Sequence, residues 1–435
     1  MLILRRILKI LLKIFEALFV LLLVIPGLLV AIPYNGSGEK EKAVGNLKID
    51  ENANLDMKKI NESKKGDVPL VLVHGMLGWG ESAKVTEKLG PYWGMQTCNL
   101  PEMLRSDGYE VYAATVGPMS SAYDRACELY AQLTGTRTDY GEAHAKRYGH
   151  ERYGRDYTGK ALMGKPWDMT TAINLAGHSF GGPTLIVFAS IMAYGVTDEV
   201  STSGDDVSEF FKGGHAGAIN ALATLESPSN GTPLANYMND TLLAYAATVF
   251  LNTRAAEDKL MDPMLEQFGV TGKLDLWNDF KLSFSKDHCG YDMTINGAKA
   301  LQRKFPSSKT IRYMSYSATL PEGNSKNAPA MNKVFAAPGG LISQAGNGTI
   351  IDGHIIKSEW KTNDGFVPII SARYPFYDDS EHVDYVSGAK LKSGVWTVMP
   401  NIENSSHGAH CSANNGDVDA YYKMFTDMIE IMNNE

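Results

Sequence analysis

The stretch Ile173–Gly182, INLAGHSFGG, constrains this chain more than any other. An apolar run leads straight into Gly177-x-Ser179-x-Gly181, then into Gly182-Pro183 and the apolar sequence TLIVFASIMAYG. A strand must therefore end and a helix begin within a few residues. So sharp a turn tolerates only small neighbours, because a Cβ at Gly177 or Gly181 would strike nearby backbone. Proline suits the first helical turn, where its missing N–H is not needed, and the run after it is apolar enough to lie buried against a sheet. Ser179 at the tip of such a turn is a candidate nucleophile. The competing reading of the pentapeptide is a glycine-rich loop.

The rest of the chain repeats the theme of buried strands followed by helical patterns. VPLVLVHG (68–75) is continuously apolar, as a strand covered on both faces of a parallel sheet would be, and the folded domain is expected to start near Asp67. Further strands are expected at 109–117, 218–228, 311–320 and 394–400, and DVDAYYKMFTDMIEIM closes the chain as an amphipathic helix. This alternation predicts an α/β class with a mostly parallel central sheet and helices on both faces. Combined with the Ser179 turn, it predicts the α/β-hydrolase fold. In that fold a backbone N–H from the first loop and the N–H after the nucleophile form an oxyanion hole. Here the donors would be Met76 and Phe180, although His74-Gly75 is also ordinary turn chemistry.

Composition narrows the partners. The chain has 435 residues, 44% of them hydrophobic, which is enough for a large core and excludes disorder as its main state. A net charge of −8 without basic runs after the N-terminus disfavours nucleic acid or an anionic surface as the partner of the main body and favours neutral or apolar substrates. Cys98, Cys127, Cys289 and Cys411 are widely spaced and form no C-x-x-C pair, so they read as buried thiols, with one disulfide as the alternative. Arg5, Arg6, Lys9 and Lys13 precede the uncharged apolar run Ala17–Ile32, with no convincing Ala-x-Ala site beyond it. Residues 1–33 are therefore expected to be an uncleaved signal anchor, in preference to a cleaved signal peptide. The positive-inside rule then puts the remainder outside, anchored to the membrane or secreted. Residues 34–66 read as a polar linker and 67–435 as the catalytic domain.

SSAYDRACELYAQL and DYGEAHAKRYGHERYGRDY, within 120–157, together with LVHGMLGWG, GHSFGG, KLDLW and WKTNDG in that order about them, resemble the zinc-containing bacterial lipases of thermophilic bacilli and staphylococci. The resemblance runs from about Val68 to the C-terminus. It implies Ser179 as nucleophile, Asp364 as triad acid and His407 as base, in the chain order expected of the fold. Taken by itself, Asn363-Asp364-Gly365 is equally good Asx-turn chemistry. In the family the base follows the Trp of a Gly-x-Trp strand by ten or eleven residues. His407 lies eleven after Trp396 and His410 fourteen, whereas His382 precedes the strand.

The resemblance also implies a structural zinc held by Asp124, His144, His150 and Asp275, clamping an insertion at about 118–160. Two imidazoles and two carboxylates would close a tetrahedral shell and leave no position for water. The six-residue spacing of His144 and His150 requires a bent segment, since one straight helix cannot point both at one ion. A lid-like helical insertion is expected at about 233–290. The run Ser405–Cys411 has no carboxylate where the family places calcium-binding acids, which argues against calcium. Phe180 stands where the family carries a polar residue, and a more apolar rim to the oxyanion hole is expected from it. The implied function is hydrolysis of acylglycerols or related fatty acyl esters through an acyl-enzyme. The alternatives are a short-chain carboxylesterase or acyltransferase on the same triad, or a catalytically silent, envelope-associated binding protein.

Overall fold

The computed structural model describes residues 68–434, apart from 84–85, 87–89, 96, 240–285, 322–329 and 413–416. The N-terminal segment 1–33, the linker 34–66, Asp275 and most of the expected lid-like insertion lie outside the described residues. No single described helix is long and apolar enough to cross a membrane.

Seven strands form the central sheet: β1 (Leu70–Val73), β2 (Val111–Ala114), β3 (Ile173–His178), β4 (Ile219–Leu225), β5 (Arg312–Tyr316), β6 (Glu381–Asp384) and β7 (Val395–Val398). Their order is β6-β7-β5-β4-β3-β1-β2, and every pairing is parallel. Five apolar runs singled out besides the Ser179 strand each contain one of these strands. β6 was not anticipated, because EHVD is polar and all four of its residues are exposed.

Alternation along the strands divides the core into two layers, as the period of two requires. Val71, Val73, Leu175, Leu222, Tyr313 and Trp396 face one side. There they meet helices α2 (Ala122–Thr134) and α4 (Gly181–Tyr194). Leu70, Leu72, Ala176, Ala223, Leu225 and Met314 face the other side, against α1 (Leu100–Ser106) and α5 (Val418–Asn433). Helix α4 is buried on all sides from Gly181 to Ala193. It lies between the sheet and α2, which accounts for an apolar sequence without a polar stripe.

The segment expected to be an insertion holds α2, a two-stranded antiparallel ribbon of Arg137–Asp139 and Tyr153–Asp156, and α3 (Glu142–Tyr148) between the ribbon strands. Helix α2 starts on Ser121, whose Oγ accepts the Asp124 N–H, and ends on Gly135 at φ 65°. The two margins of the sheet differ. At β2, Glu81 donates its N–H to the Ala113 carbonyl, and its carboxylate accepts the Ala113 N–H. β6 forms the opposite margin, next to the acidic run Asp378, Asp379, Glu381.

Candidate active site

β1 is flanked by β2 on one side and β3 on the other, so the chain leaves it in opposite directions. Such a switch point opens a crevice beyond the carboxyl ends of the strands, where α/β proteins place their ligands. The register sets Val73 beside Gly177 and brings the loop after β1 against the turn after β3. Ser179 occupies that turn at φ 54°, a left-handed conformation that is costly for a residue with a side chain. A Cβ on Gly177 would lie 2.4 Å from the Gly181 carbonyl oxygen, and one on Gly75 would lie 2.8 Å from Ser179 Cβ. The expected collisions are therefore present, and they explain why small residues surround the serine.

Ser179, Asp364 and His407 come together from three loops and are nearly closed to solvent, at 9%, 1% and 6% exposure. His407 Nε2 lies 2.8 Å from Ser179 Oγ, and His407 Nδ1 lies 2.8 Å from Asp364 Oδ2. The serine hydroxyl can thus donate to one ring nitrogen while the other donates to the carboxylate. The two readings of Asp364 prove compatible. Its Oδ1 accepts the N–H groups of Phe366 at 2.9 Å and Val367 at 2.7 Å in a turn, which leaves Oδ2 for the imidazole. The His407 N–H also donates to the Asp364 carbonyl at 2.9 Å, so these two residues are tied through main chain as well.

The other two histidines are elsewhere. His410 is fully buried, with Nδ1 3.5 Å from Glu226 Oε1, and His382 lies on β6, stacked on Tyr374 at 3.7 Å.

Met76 and Phe180 flank the serine as the two loops require, and no acceptor among the described residues takes either backbone N–H. The apolar rim expected from Phe180 is not formed. Its ring is fully buried in the core beneath α2, with the Arg125 guanidinium 5.1 Å away. Only its main chain is available to the site. Arg125 is itself buried and donates to the carbonyls of His74, Gly75 and Gly117, bracing the loop before Met76. Burial lowers its pKa to about 10, so it stays charged at neutral pH.

A second cluster joins Asp124, His144, His150 and Asp287, whose ligand atoms all lie within 4.8 Å of one another. His144 Nε2 is 3.1 Å from Asp124 Oδ1 and 3.2 Å from Asp287 Oδ2, and His150 Nε2 is 3.3 Å from Asp287 Oδ2. Metal–ligand bonds of about 2.0–2.2 Å imply tetrahedral edges of roughly 3.3 Å, which these spacings match. Asp124 Oδ1, His144 Nε2 and His150 Nε2 are buried without a hydrogen-bond partner, as atoms aimed at an ion would be. His144 lies on α3 and His150 follows the Gly149 cap at φ 80°, which supplies the bend their spacing demanded.

Burial and the Asp287 charge raise the Asp124 pKa. For Asp287 burial works in the same upward direction, but the His144 and His150 imidazoles facing it outweigh that and hold the carboxyl well below its usual range. Asp287 was missed in the sequence. Lys286-Asp287-His288 offers no periodic signal, and KLDLW drew attention to Asp275 instead.

The sequence profile of the family described as "Lipase-like, C-terminal domain" matches residues 66–432. A lipase of Staphylococcus epidermidis is 33% identical over 359 residues, covering 79% of this chain and 50% of the relative. Lipase 1 of Staphylococcus aureus is 33% identical over 361 residues, with the same coverage of each. The chain thus spans about half the length of the curated relatives it matches. Among solved structures, Staphylococcus hyicus lipase superposes with a TM-score of 0.71 at 26% identity, over 86% of this chain and 98% of the other. EstA from Clostridium botulinum gives 0.70 at 30% identity, over 84% and 87%.

Proposed function

The chain belongs to the Lipase-like, C-terminal domain family, and on that premise we propose that it is a serine hydrolase that cleaves acylglycerols or related fatty acyl esters. The observation that carries this reading is the continuous hydrogen-bonded chain Ser179–His407–Asp364, with 2.8 Å at each link. In the proposed mechanism His407 Nε2 takes the Ser179 proton as Oγ attacks the ester carbonyl. Asp364 holds the imidazole in the tautomer that can accept it and stabilises the imidazolium that forms. The N–H groups of Met76 and Phe180 receive the oxyanion, and losing one such donor typically costs about 3–4 kcal/mol. His407 then returns its proton to the leaving alcohol, and water repeats the sequence on the acyl-Ser179.

Zinc is the proposed ion of the second cluster, because two imidazoles and two carboxylates at tetrahedral spacing suit it. Asp124, His144, His150 and Asp287 would hold it, with Asp287 in the role first expected of Asp275. All four positions being protein ligands, the ion's contribution would be structural, fixing the 124–150 region to the segment at Asp287. The basic and apolar N-terminal segment supports an exported enzyme, secreted or held at the outer face of a membrane. The test of the main reading is labelling with a fluorophosphonate probe alongside hydrolysis of a series of acyl esters. Stoichiometric modification of Ser179 with turnover supports it, and an unlabelled, inactive but folded protein refutes it.

A further inference from the structure

Behind the candidate triad lies a buried polar network that the chemistry above does not use. His178, the residue before the nucleophile, is buried with both ring nitrogens engaged. Nδ1 lies 2.6 Å from the Tyr92 hydroxyl, which accepts the Gly75 N–H at 3.0 Å. Nε2 faces two acceptors, the main-chain carbonyl of His407 at 2.8 Å and Glu226 Oε2 at 3.2 Å. Glu226 is wholly buried at the end of β4, at φ 52°, and its other oxygen lies 3.5 Å from His410 Nδ1. A buried carboxylate in a strained backbone, aimed at a histidine beside the nucleophile, is costly unless it has work to do.

The acceptors fix one end of the ring. Two acceptors at Nε2 require a proton there, while Nδ1 either accepts from the Tyr92 hydroxyl or, in the imidazolium that the raised pKa of His178 favours, donates to its oxygen. We propose that His178, kept protonated at Nε2 by Glu226, is a positioning residue that ties the oxyanion loop at Gly75 to the main chain of His407. The proposal rests on the triad reading given above. One imidazole then links the two sides of the site: Gly75 directly precedes the Met76 donor, and the His407 carbonyl belongs to the base. The His407 N–H is already held by Asp364, so the bond from His178 fixes the other end of the same residue. Without the carboxylate, the alternative tautomer would set an Nε2 lone pair against the His407 carbonyl. The base would then shift away from Ser179. Displacements of about 1 Å in such constellations cost roughly 100-fold in rate.

The test compares full-length wild type with Glu226→Leu and Glu226→Gln. Activity on a 4-nitrophenyl ester is normalised to the fraction of Ser179 that a fluorophosphonate labels to completion. The amide of Glu226→Gln keeps an acceptor for Nε2–H, so this variant should stay within about fivefold of wild type. Glu226→Leu should lose roughly 10–100-fold in kcat per labelled site with KM little changed. Long-range ¹⁵N–¹H correlation on histidine-labelled protein should report His178 protonated at Nε2 in wild type and Glu226→Gln, and at Nδ1 in Glu226→Leu. Unchanged turnover per labelled site in Glu226→Leu would overturn the proposal, as would a wild-type His178 protonated at Nδ1 alone. The tautomer is read without any substrate, so an inactive wild type would count against ester hydrolysis and still leave the positioning claim open to refutation. Should Glu226→Leu fail to fold, Glu226→Gln with the activity expected of Glu226→Leu would refute the acceptor argument.

Discussion

Gly181 and Val73 are so close that a methyl group on the glycine would lie 2.2 Å from the Val73 carbonyl oxygen. The obstruction is backbone of the adjacent strand, which no rotamer change can relieve. Gly181→Ala should therefore cost about 3 kcal/mol or more and abolish ester turnover, because moving either segment also moves Ser179. Gly217→Ala, whose new methyl would meet nothing within 4 Å, should change stability by no more than about 0.5 kcal/mol. Thermal melts of both variants check the contrast, and equal effects would mean the elbow is less tightly packed than these distances imply.

Ser179→Ala should remove hydrolysis with little change in melting temperature, since the hydroxyl donates within the site and not to the core. His407→Ala should lower kcat by about four orders of magnitude or more. His410→Ala should behave differently, leaving chemistry within about tenfold. Its cost should instead appear as about 3–5 kcal/mol of stability, because it strips a partner from the buried Glu226 carboxylate. Purified, folded variants assayed side by side decide the matter, and the reverse ranking would move the base to His410.

The second cluster contains Asp287, whereas Asp275 lies outside the described residues. Asp287→Asn should lose the tightly held zinc and, with it, heat stability, while Asp275→Asn should keep one zinc per chain. Elemental analysis of both proteins reads the result. Chelation of wild type should lower the melting temperature without altering turnover at temperatures where the protein remains folded, as a structural ion requires. Turnover that tracked metal content in fully folded protein would contradict a purely structural role.

His74 provides the clearest pH signature. Burial, reinforced by the Arg125 charge, lowers its pKa from 6.5 to about 3. Its ring is held neutral, with Nδ1 donating to the Gly75 carbonyl and Nε2 accepting from Val116 N–H. Between those two values the unfolded chain binds a proton that the folded chain refuses. Stability must therefore fall as pH drops from about 6.5 toward 3. The buried Glu128 carboxyl, raised by burial to about 7, contributes the opposite slope between its unfolded value and 7. The difference between wild type and His74→Gln isolates the histidine, and the variant should lose less stability on acidification. An identical pH dependence of the two melting temperatures would show that His74 titrates normally.

The parts of this molecule legible in the sequence are those where local pattern and global position agree. β1 and β3 read as buried strands because apolar runs end at glycines whose missing side chains the fold needs. Ser179 could be picked out because its turn imposes that glycine pattern. β6 escaped because, unlike β2 at the other margin, it has no buried face to write into its composition. Glu226 escaped for the converse reason: it ends an apolar strand, and only the approach of loops from residues 178 and 407 gives its carboxylate neighbours. Asp287 and Asp275 are indistinguishable by composition, since what defines a ligand is the convergence of chain segments far apart in sequence. The rim expected of Phe180 failed because the serine turn sends the next side chain down into the core.

The two margins of the central sheet also bear on how copies of this protein behave toward one another. At β2 the spare backbone groups of Ala113 are consumed by Glu81 and the Val111 carbonyl accepts from Arg105, so the middle of that strand is blocked to a further strand. At β6 the strand is bare, carries Val383 at 42% exposure, and is guarded chiefly by the negative charges of Asp378, Asp379 and Glu381. Two molecules meeting there repel each other only while those carboxylates are ionised and unscreened. Crowding in acid or concentrated salt would remove that repulsion, so self-association of the folded protein would begin along this one strand.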